Sequence, residues 1–155
     1  MNVNETVGMR GQFYFKLKAS NGIVKDERNV INTITLSGKG AVSGLILTDV
    51  SASYSSFDVI AVGLGTTGAL SADTALATEY ARVACVGTQV QITSTRDTAQ
   101  LLGSFAFTGA AAIVEAGVFN SSSTATGVML ARQTFAVLNA TSGDTLAVTY
   151  KVTFA

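Results

Sequence analysis

The sequence predicts an all-β protein, an antiparallel β-sandwich that is jelly-roll-like, with one short helix at about residues 36–47. Apolar and polar residues alternate with a period of two along most of the chain, which is typical of strands with one buried face. Gly, Ser, Asn and Asp interrupt these runs at short, even intervals, as expected of turns between antiparallel strands. No linker divides the chain, so residues 1–155 are predicted to form a single β domain.

The first two predicted strands, residues 11–18 and 23–31, form a hairpin around Asn21-Gly22. This dipeptide favours a type I′ turn, in which both central residues need a positive φ. The same alternation predicts seven further strands along the chain. They are residues 57–64, 80–86, 89–95, 100–108, 111–119, 128–137 and 145–154.

Residues 35–47 depart from the two-residue period. Leu36, Val42 and Leu45 fall near helical spacing, and Ser37 is a candidate N-cap. Glycines within this segment weaken a helix by ~1 kcal/mol each. A short helix is therefore predicted, with a strand distorted by its glycines as the alternative.

Charged residues are scarce and balanced. They make up 13% of the chain, about half of the usual ~25%. A surface with so few charges favours contact with other protein. Ten basic residues cancel ten acidic ones, which argues against a nucleic-acid partner. Histidine is absent, so sites that depend on imidazole, such as histidine-based triads and zinc sites, are excluded.

No targeting or membrane segment is predicted. The first ten residues contain no apolar run behind a charge, as a secretory signal would require. No stretch approaches the ~18 uninterrupted apolar residues of a transmembrane helix. We therefore expect synthesis in the cytoplasm of the producing cell and no membrane partner.

Two patterns that resemble cofactor or catalytic sites do not meet the requirements of those sites. Residues 63–68 match G-x-G-x-x-G, but no helix opens at the last glycine and no acidic residue follows about twenty positions on. A Gly/Thr-rich turn is the better interpretation. Asp-Thr occurs at Asp73, Asp97 and Asp144 beside apolar runs, and we expect these carboxylates to bind turn backbone. No cofactor and no metal ion are predicted.

Two single residues interrupt apolar runs. Glu115 is expected to form a structural ion pair with Arg82 or Arg132, or an intersubunit contact, because an unpaired buried carboxylate is costly. An exposed position on an edge strand is the alternative. Cys85 has no partner for an intrachain disulfide and no adjacent cation to stabilise a thiolate. It is predicted to be a buried, unreactive thiol.

The charges are distributed unevenly along the chain. Residues 1–39 contain six basic and three acidic side chains, and residues 40–155 contain four basic and seven acidic ones. A positive region beside a negative region favours packing of copies against one another. An ordinary solvated hairpin is the alternative.

Seven segments carry a recognisable order of motifs. They are 29–46, 60–67 (Ile-Ala-Val-Gly-Leu-Gly-Thr-Thr), 72–79 (Ala-Asp-Thr-Ala-Leu-Ala-Thr-Glu), 103–108 (Gly-Ser-Phe-Ala-Phe-Thr), 115–120 (Glu-Ala-Gly-Val-Phe-Asn), 129–135 (Met-Leu-Ala-Arg-Gln-Thr-Phe) and 143–150 (Gly-Asp-Thr-Leu-Ala-Val-Thr-Tyr). In this order they resemble small virion structural proteins of tailed bacteriophages. The resemblance spans residues 29–154.

This resemblance implies a non-enzymatic β protein of the phage particle, most similar to head decoration (cement) proteins. Such proteins commonly form trimers at capsid three-fold positions and clamp neighbouring capsomers. The resemblance thus implies a homotrimer, the major capsid protein as partner, and a location on the outer head surface. A tail-fibre or baseplate component that binds a host receptor is the alternative. A small β-fold hydrolase is a distant third.

On this hypothesis five residues are candidate interface residues. Arg10, Lys16 and Lys18 belong to a basic N-terminal segment that faces a shell whose outer surface is often acidic, and residues 1–10 are a possible N-terminal arm. Glu115 and Arg132 are included because an ion pair can also form between subunits.

Overall fold

The computed structural model describes residues 8–46, 54–94 and 96–154. Within these residues it contains ten strands and one helix. The strands are β1 (Met9–Lys18), β2 (Val24–Ile31), β3 (Thr33–Ile34), β4 (Val59–Gly63), β5 (Glu79–Ala84), β6 (Val86–Val90), β7 (Thr98–Ala106), β8 (Ala111–Phe119), β9 (Met129–Ala140) and β10 (Thr145–Phe154); helix α1 (Leu36–Leu45) follows β3.

The strands form two five-stranded sheets, which confirms the predicted all-β sandwich. Sheet A has the order β2-β1-β10-β7-β6, and sheet B has the order β3-β9-β8-β4-β5. Every pairing between neighbouring strands is antiparallel. In the described residues, no helix is long and apolar enough to cross a membrane.

The main core lies between the two sheets. Alternate residues of β1 and β10 point into it, so that Phe13 stacks on Phe15 and contacts Tyr150. Strand β4 is buried at all five positions because the outer face of sheet B is also covered. There Val59 and Leu76 belong to a second apolar cluster, which brings residues 64–78 onto that face.

The β1–β2 hairpin is confirmed, but its turn is not of type I′. Gly22 has a φ of 83°, and Asn21 does not adopt a positive φ. The Gly22 N–H donates to the Ala19 carbonyl at 2.8 Å, and the Ala19 N–H donates to the Ile23 carbonyl at 2.8 Å. Three residues thus form the loop, with glycine in the left-handed position of a bulge. The extra loop residue removes the need for a positive φ at Asn21.

Residues 36–45 are helical, so the distorted-strand alternative is wrong. The N-cap is Thr35 and not Ser37, because the Thr35 hydroxyl accepts the Gly38 N–H at 2.9 Å. Thr35 is fully buried and its hydroxyl also donates to the Met129 carbonyl of β9. This contact fixes where the helix starts relative to sheet B, and the last predicted helical residue, 47, lies outside the described residues.

The structure corrects two further predictions about the strands and adds one strand that was not predicted. Strand β6 covers Val86–Val90 instead of 89–95, and Cys85 lies between β5 and β6, where its N–H donates to the Asp58 carbonyl at 2.7 Å. The two-residue β3 was not predicted. Met9 and Arg10 belong to β1, paired with β10, so the basic segment after residue 8 is a strand of the sheet instead of an arm. Residues 1–7 lie outside the described residues.

Candidate functional site

A buried ion pair joins β8 and β9. Glu115 has no exposed surface and Arg132 is 2% exposed. The Arg132 Nη2 atom lies 2.8 Å from Glu115 Oε2, and its Nη1 atom lies 2.7 Å from an Asp73 oxygen. The sequence offered Arg82 and Arg132 as candidate partners of Glu115, and the structure pairs Glu115 with Arg132.

Glu115 also binds the backbone of the loop at residues 64–78. Its Oε1 atom accepts the N–H groups of Gly65 at 2.9 Å and Thr78 at 2.8 Å, and Oε2 accepts the Ala77 N–H at 3.0 Å. One carboxylate therefore holds both ends of the loop against sheet B.

Arg132 binds the middle of the same loop through backbone oxygens. Its Nη2 donates to the Thr67 carbonyl at 2.8 Å, and its Nη1 donates to the Gly68 carbonyl at 3.3 Å. We call Glu115, Arg132 and the 64–78 backbone that they bind the loop clasp. All five polar atoms of the ion pair are directed at this chain's own groups, which is the geometry of a structural site.

The loop clasp explains two glycines of the G-x-G-x-x-G pattern. A Cβ atom at Gly63 or Gly65 would lie 2.6 or 2.5 Å from Glu115 Oε1, too close for any side chain, whereas a Cβ at Gly68 would meet nothing within 4 Å. Residues 64–70 are irregular, with one bend at Thr67 and no helix. Gly63 and Gly65 of the pattern are therefore explained by the close approach of a carboxylate, and the expected Gly/Thr-rich turn is instead the start of a longer loop.

The pKa of Glu115 reflects two opposed effects. Burial alone would raise it, but hydrogen bonds from the three loop N–H groups and from Arg132 outweigh burial and hold the pKa below its ordinary value. Burial likewise opposes ionisation of Asp73, and the Leu70 N–H and Arg132 lower its pKa. Both groups are carboxylates at neutral pH.

The three Asp-Thr sequences form the same turn. In each one the Asp N–H donates to the carbonyl of the residue three positions earlier, and the Asp carboxylate accepts that residue's N–H in return. The returned bonds are Leu70 to Asp73, Ser94 to Asp97 and Thr141 to Asp144, each 2.8 Å long. The expectation that these aspartates satisfy turn backbone is confirmed, and we call them the turn aspartates.

Asp97 and Asp144, like Asp73 with Arg132, have partners beyond the shared turn. A hydrogen bond from the Thr93 hydroxyl, together with the Ser94 N–H, holds the pKa of Asp97 far below its ordinary value. The Lys25 ammonium, 2.5 Å away, and the Thr141 N–H lower the pKa of Asp144. Both carboxylates therefore bind groups of this chain.

The lowered pKa values predict that acid destabilises the protein. A carboxyl group with a lower pKa in the folded state stabilises the fold fully above its unfolded pKa, and this contribution is lost as the pH falls through the folded pKa. For Glu115 and the turn aspartates, we expect the free energy of unfolding to fall progressively below about pH 5. No histidine titration overlaps this change. Urea unfolding across a pH series measures it, and a constant value down to about pH 3 would contradict it.

The structure divides the five candidate interface residues into two groups. Arg10, Lys16 and Lys18 alternate with buried residues of β1 and so share the outer face of sheet A. Glu115 and Arg132 are enclosed beneath the 64–78 loop, so their assignment to an interface is corrected: burial leaves them no surface to offer a neighbour.

The outer face of sheet A is a shallow polar surface. Lys16 lies 2.5 Å from Glu27 with both side chains about half exposed, and Lys151 lies 5.4 Å from the centre of the Tyr14 ring. Beside them is a groove of about 530 Å³ that Tyr14, Lys16 and Asn29 help to line. Lys16, Lys25 and Arg28 pair with acids of this chain. Glu27 and Asp26 already belong to residues 1–39, so only the pair of Lys25 with Asp144 brings in an acid from outside the predicted positive region.

A second polar surface lies where residues 54–55 meet the loop at 120–128. A cavity of about 420 Å³ is lined there by Tyr54, Asn120 and Thr126, among others. Arg82 fixes the loop by donating to the Ser121 carbonyl at 2.7 Å while its guanidinium stacks 4.5 Å above a neighbouring phenylalanine ring. The sequence indicated Arg82 only as a candidate partner of Glu115, and it gave no indication that Arg82 holds the loop at 120–128.

Other chemistry is sparse in the described part of the chain. No three His, Cys, Asp or Glu side chains are grouped there in a way that would hold a metal ion. Cys85 is half-buried, and desolvation raises the pKa of its thiol, as does the nearby Asp58 carboxylate. The thiol is therefore a weak nucleophile.

The chain was compared with protein-family models, curated proteins and solved structures. No protein-family model, no curated protein and no solved structure matches this chain.

Proposed function

We propose that this protein is a structural component of a tailed-phage virion, a head decoration protein that binds the assembled capsid and stabilises contacts between capsomers. The observation that supports this most is the use of its ionised side chains. Glu115 and Arg132 fasten the 64–78 loop to sheet B, and the turn aspartates close turns of this chain. Such a scaffold suits a protein whose task is to present fixed surfaces to neighbours.

The outer face of sheet A is the surface that we propose faces the shell. It carries Arg10 and Lys18, which form no ion pair within the described residues, together with Lys151 and the pair of Lys16 with Glu27. A protein that binds assembled shells and not free capsid subunits stabilises the shell by mass action. A trimer at each three-fold position, as the sequence resemblance implies, would multiply these contacts.

The proposal is tested with capsids of the parent phage assembled without this protein. We expect the purified chain to co-sediment with these shells but not with free capsid subunits, and to raise the temperature at which the shells open. Equal heat resistance with and without bound protein would contradict cementing.

A matched pair of variants tests the surface itself. Lys18→Glu should weaken shell binding several-fold, most strongly at low salt, because it reverses a charge on the proposed contact face. Lys39→Glu, an equally exposed lysine on α1, should bind like the unmodified protein. Equal binding by the two variants would exclude this face. Removal of residues 1–7 tests the proposed arm separately.

The alternative function, a tail-fibre or baseplate component that binds a host receptor, is supported by the cavity beside Tyr54. An aromatic ring among hydroxyl and amide groups suits a sugar or a polar receptor. Direct binding of the purified protein to host cells that is lost in Tyr54→Ala would favour this function, provided that the variant unfolds at the same temperature.

A further inference from the structure

The two outer edges of sheet A differ in their chemistry. Strand β2 carries four consecutive charged residues, 25–28, whereas β6 (Val-Gly-Thr-Gln-Val) carries none. Exposed edges are commonly protected from pairing with another chain by charges, prolines or bulges. Within the described residues β6 pairs only with β7 and has none of these protections.

The open edge is bordered by exposed apolar side chains. No charged residue occurs from 83 to 92. Val86 is 69% exposed, and Leu102, directly opposite it on β7, is 45% exposed on the same outer face. Pairing of this edge with another strand would satisfy its free backbone groups and cover these side chains.

We propose that β6 pairs with the β6 strand of a second copy of this chain, antiparallel and about a two-fold axis. The two A sheets then become one continuous ten-stranded sheet. With the axis at Thr88, the two Thr88 side chains face each other, and Val86 of each copy faces Val90 of the other. These are Thr–Thr and β-branched pairs, which are favourable across antiparallel strands.

Strand β6 is self-complementary, and this is the reason we infer a second copy of this chain as its partner. A two-fold contact places each residue opposite its own symmetry mate or near it. The same operation centred on any of the four charged residues of β2 would place that residue directly opposite its own copy, so two like charges would face each other at the axis. A charge-free strand centred on threonine avoids this cost.

This inference does not depend on the location of the protein in a phage head. A two-fold contact gives even-numbered assemblies: dimers from monomers, or hexamers if the chain already forms trimers through another surface. On a shell, the β6 contact would join neighbouring trimers to one another.

Sedimentation of the full chain over a concentration series tests the proposal. We expect a reversible dimer or hexamer, which Thr88→Lys weakens about tenfold or more because two lysines then face each other. Ser104→Lys, at an exposed position on β7 away from the edge, is the control and should associate normally. An equimolar mixture of Thr88→Lys and Thr88→Glu should associate again.

A cross-linking measurement keeps the proposal testable if a charged variant does not fold. In a Cys85→Ser background, Thr88→Cys places two thiols opposite each other across the axis, so mild oxidation should give a disulfide-linked dimer, whereas Ser104→Cys should not. A chain that stays monomeric at every concentration, or an assembly that Thr88→Lys leaves intact, would overturn the proposal. Association that appears only with a different protein would also overturn it.

Discussion

Replacing Glu115 by alanine is expected to lower the free energy of unfolding by about 3–5 kcal/mol. The substitution leaves Arg132 buried at 2% exposure with only part of its charge compensated. It also removes the acceptor of three backbone N–H groups in the 64–78 loop. Unpaired buried polar groups carry their full desolvation cost. Urea unfolding monitored by circular dichroism measures the change.

An exposed ion pair provides the control for this substitution. Glu27 contacts Lys16 at 2.5 Å with both side chains about half exposed, so Glu27→Gln should cost less than ~1 kcal/mol. Glu115→Gln retains an acceptor oxygen but loses the charge, and it should fall between the two. If Glu115→Ala costs no more than Glu27→Gln, the loop clasp is not a major source of stability.

Gly65→Ala is expected to destabilise the protein by about 1–3 kcal/mol, the usual cost of overpacking a buried site. The added Cβ would lie 2.5 Å from Glu115 Oε1 and from the Ala77 Cβ, and 2.9 Å from the Thr78 nitrogen. The loop can relieve these contacts only by giving up hydrogen bonds to the carboxylate. The same unfolding measurement applies.

The control lies three residues further along the same G-x-G-x-x-G pattern. Gly68→Ala places its Cβ in open space, so its effect should stay within about 0.5 kcal/mol. The cost of Gly65→Ala should also shrink when Glu115 is already alanine, because the two residues act on one contact. Equal costs for Gly65→Ala and Gly68→Ala would refute this explanation of the pattern.

How well the sequence predicted each strand depended on the hydrophobic pattern that its burial leaves in the sequence. Strand β10 buries alternate residues along its length, and β8 is an apolar run interrupted by Glu115; both have the predicted bounds, 145–154 and 111–119. Strand β6 is exposed at four of its five positions, so it has no two-residue period and its bounds were misplaced. Strand β3, at two residues, is too short to show any pattern.

The candidate interface residues were only partly predictable. The sequence placed Lys16 and Lys18 in the first strand and Arg10 in a possible arm, whereas the structure has all three on one face of β1. A structural ion pair of Glu115 was one of the alternatives, but the choice between Arg82 and Arg132 was left open. It follows from the adjacency of β8 and β9, where Arg132 lies opposite Gly117, two residues from Glu115.

By itself, the sequence determined the fold class, the scarcity of charge, the exclusion of histidine chemistry and the role of the Asp-Thr turns. These properties depend on composition or on residues within a few positions of one another. Only the tertiary structure decided what Glu115 binds and which sheet edge is left open. The three N–H groups that Glu115 accepts lie 37 to 50 positions away along the chain. Local periodicity carries no information about such contacts, because they form only when the loop between β4 and β5 packs onto the outer face of sheet B.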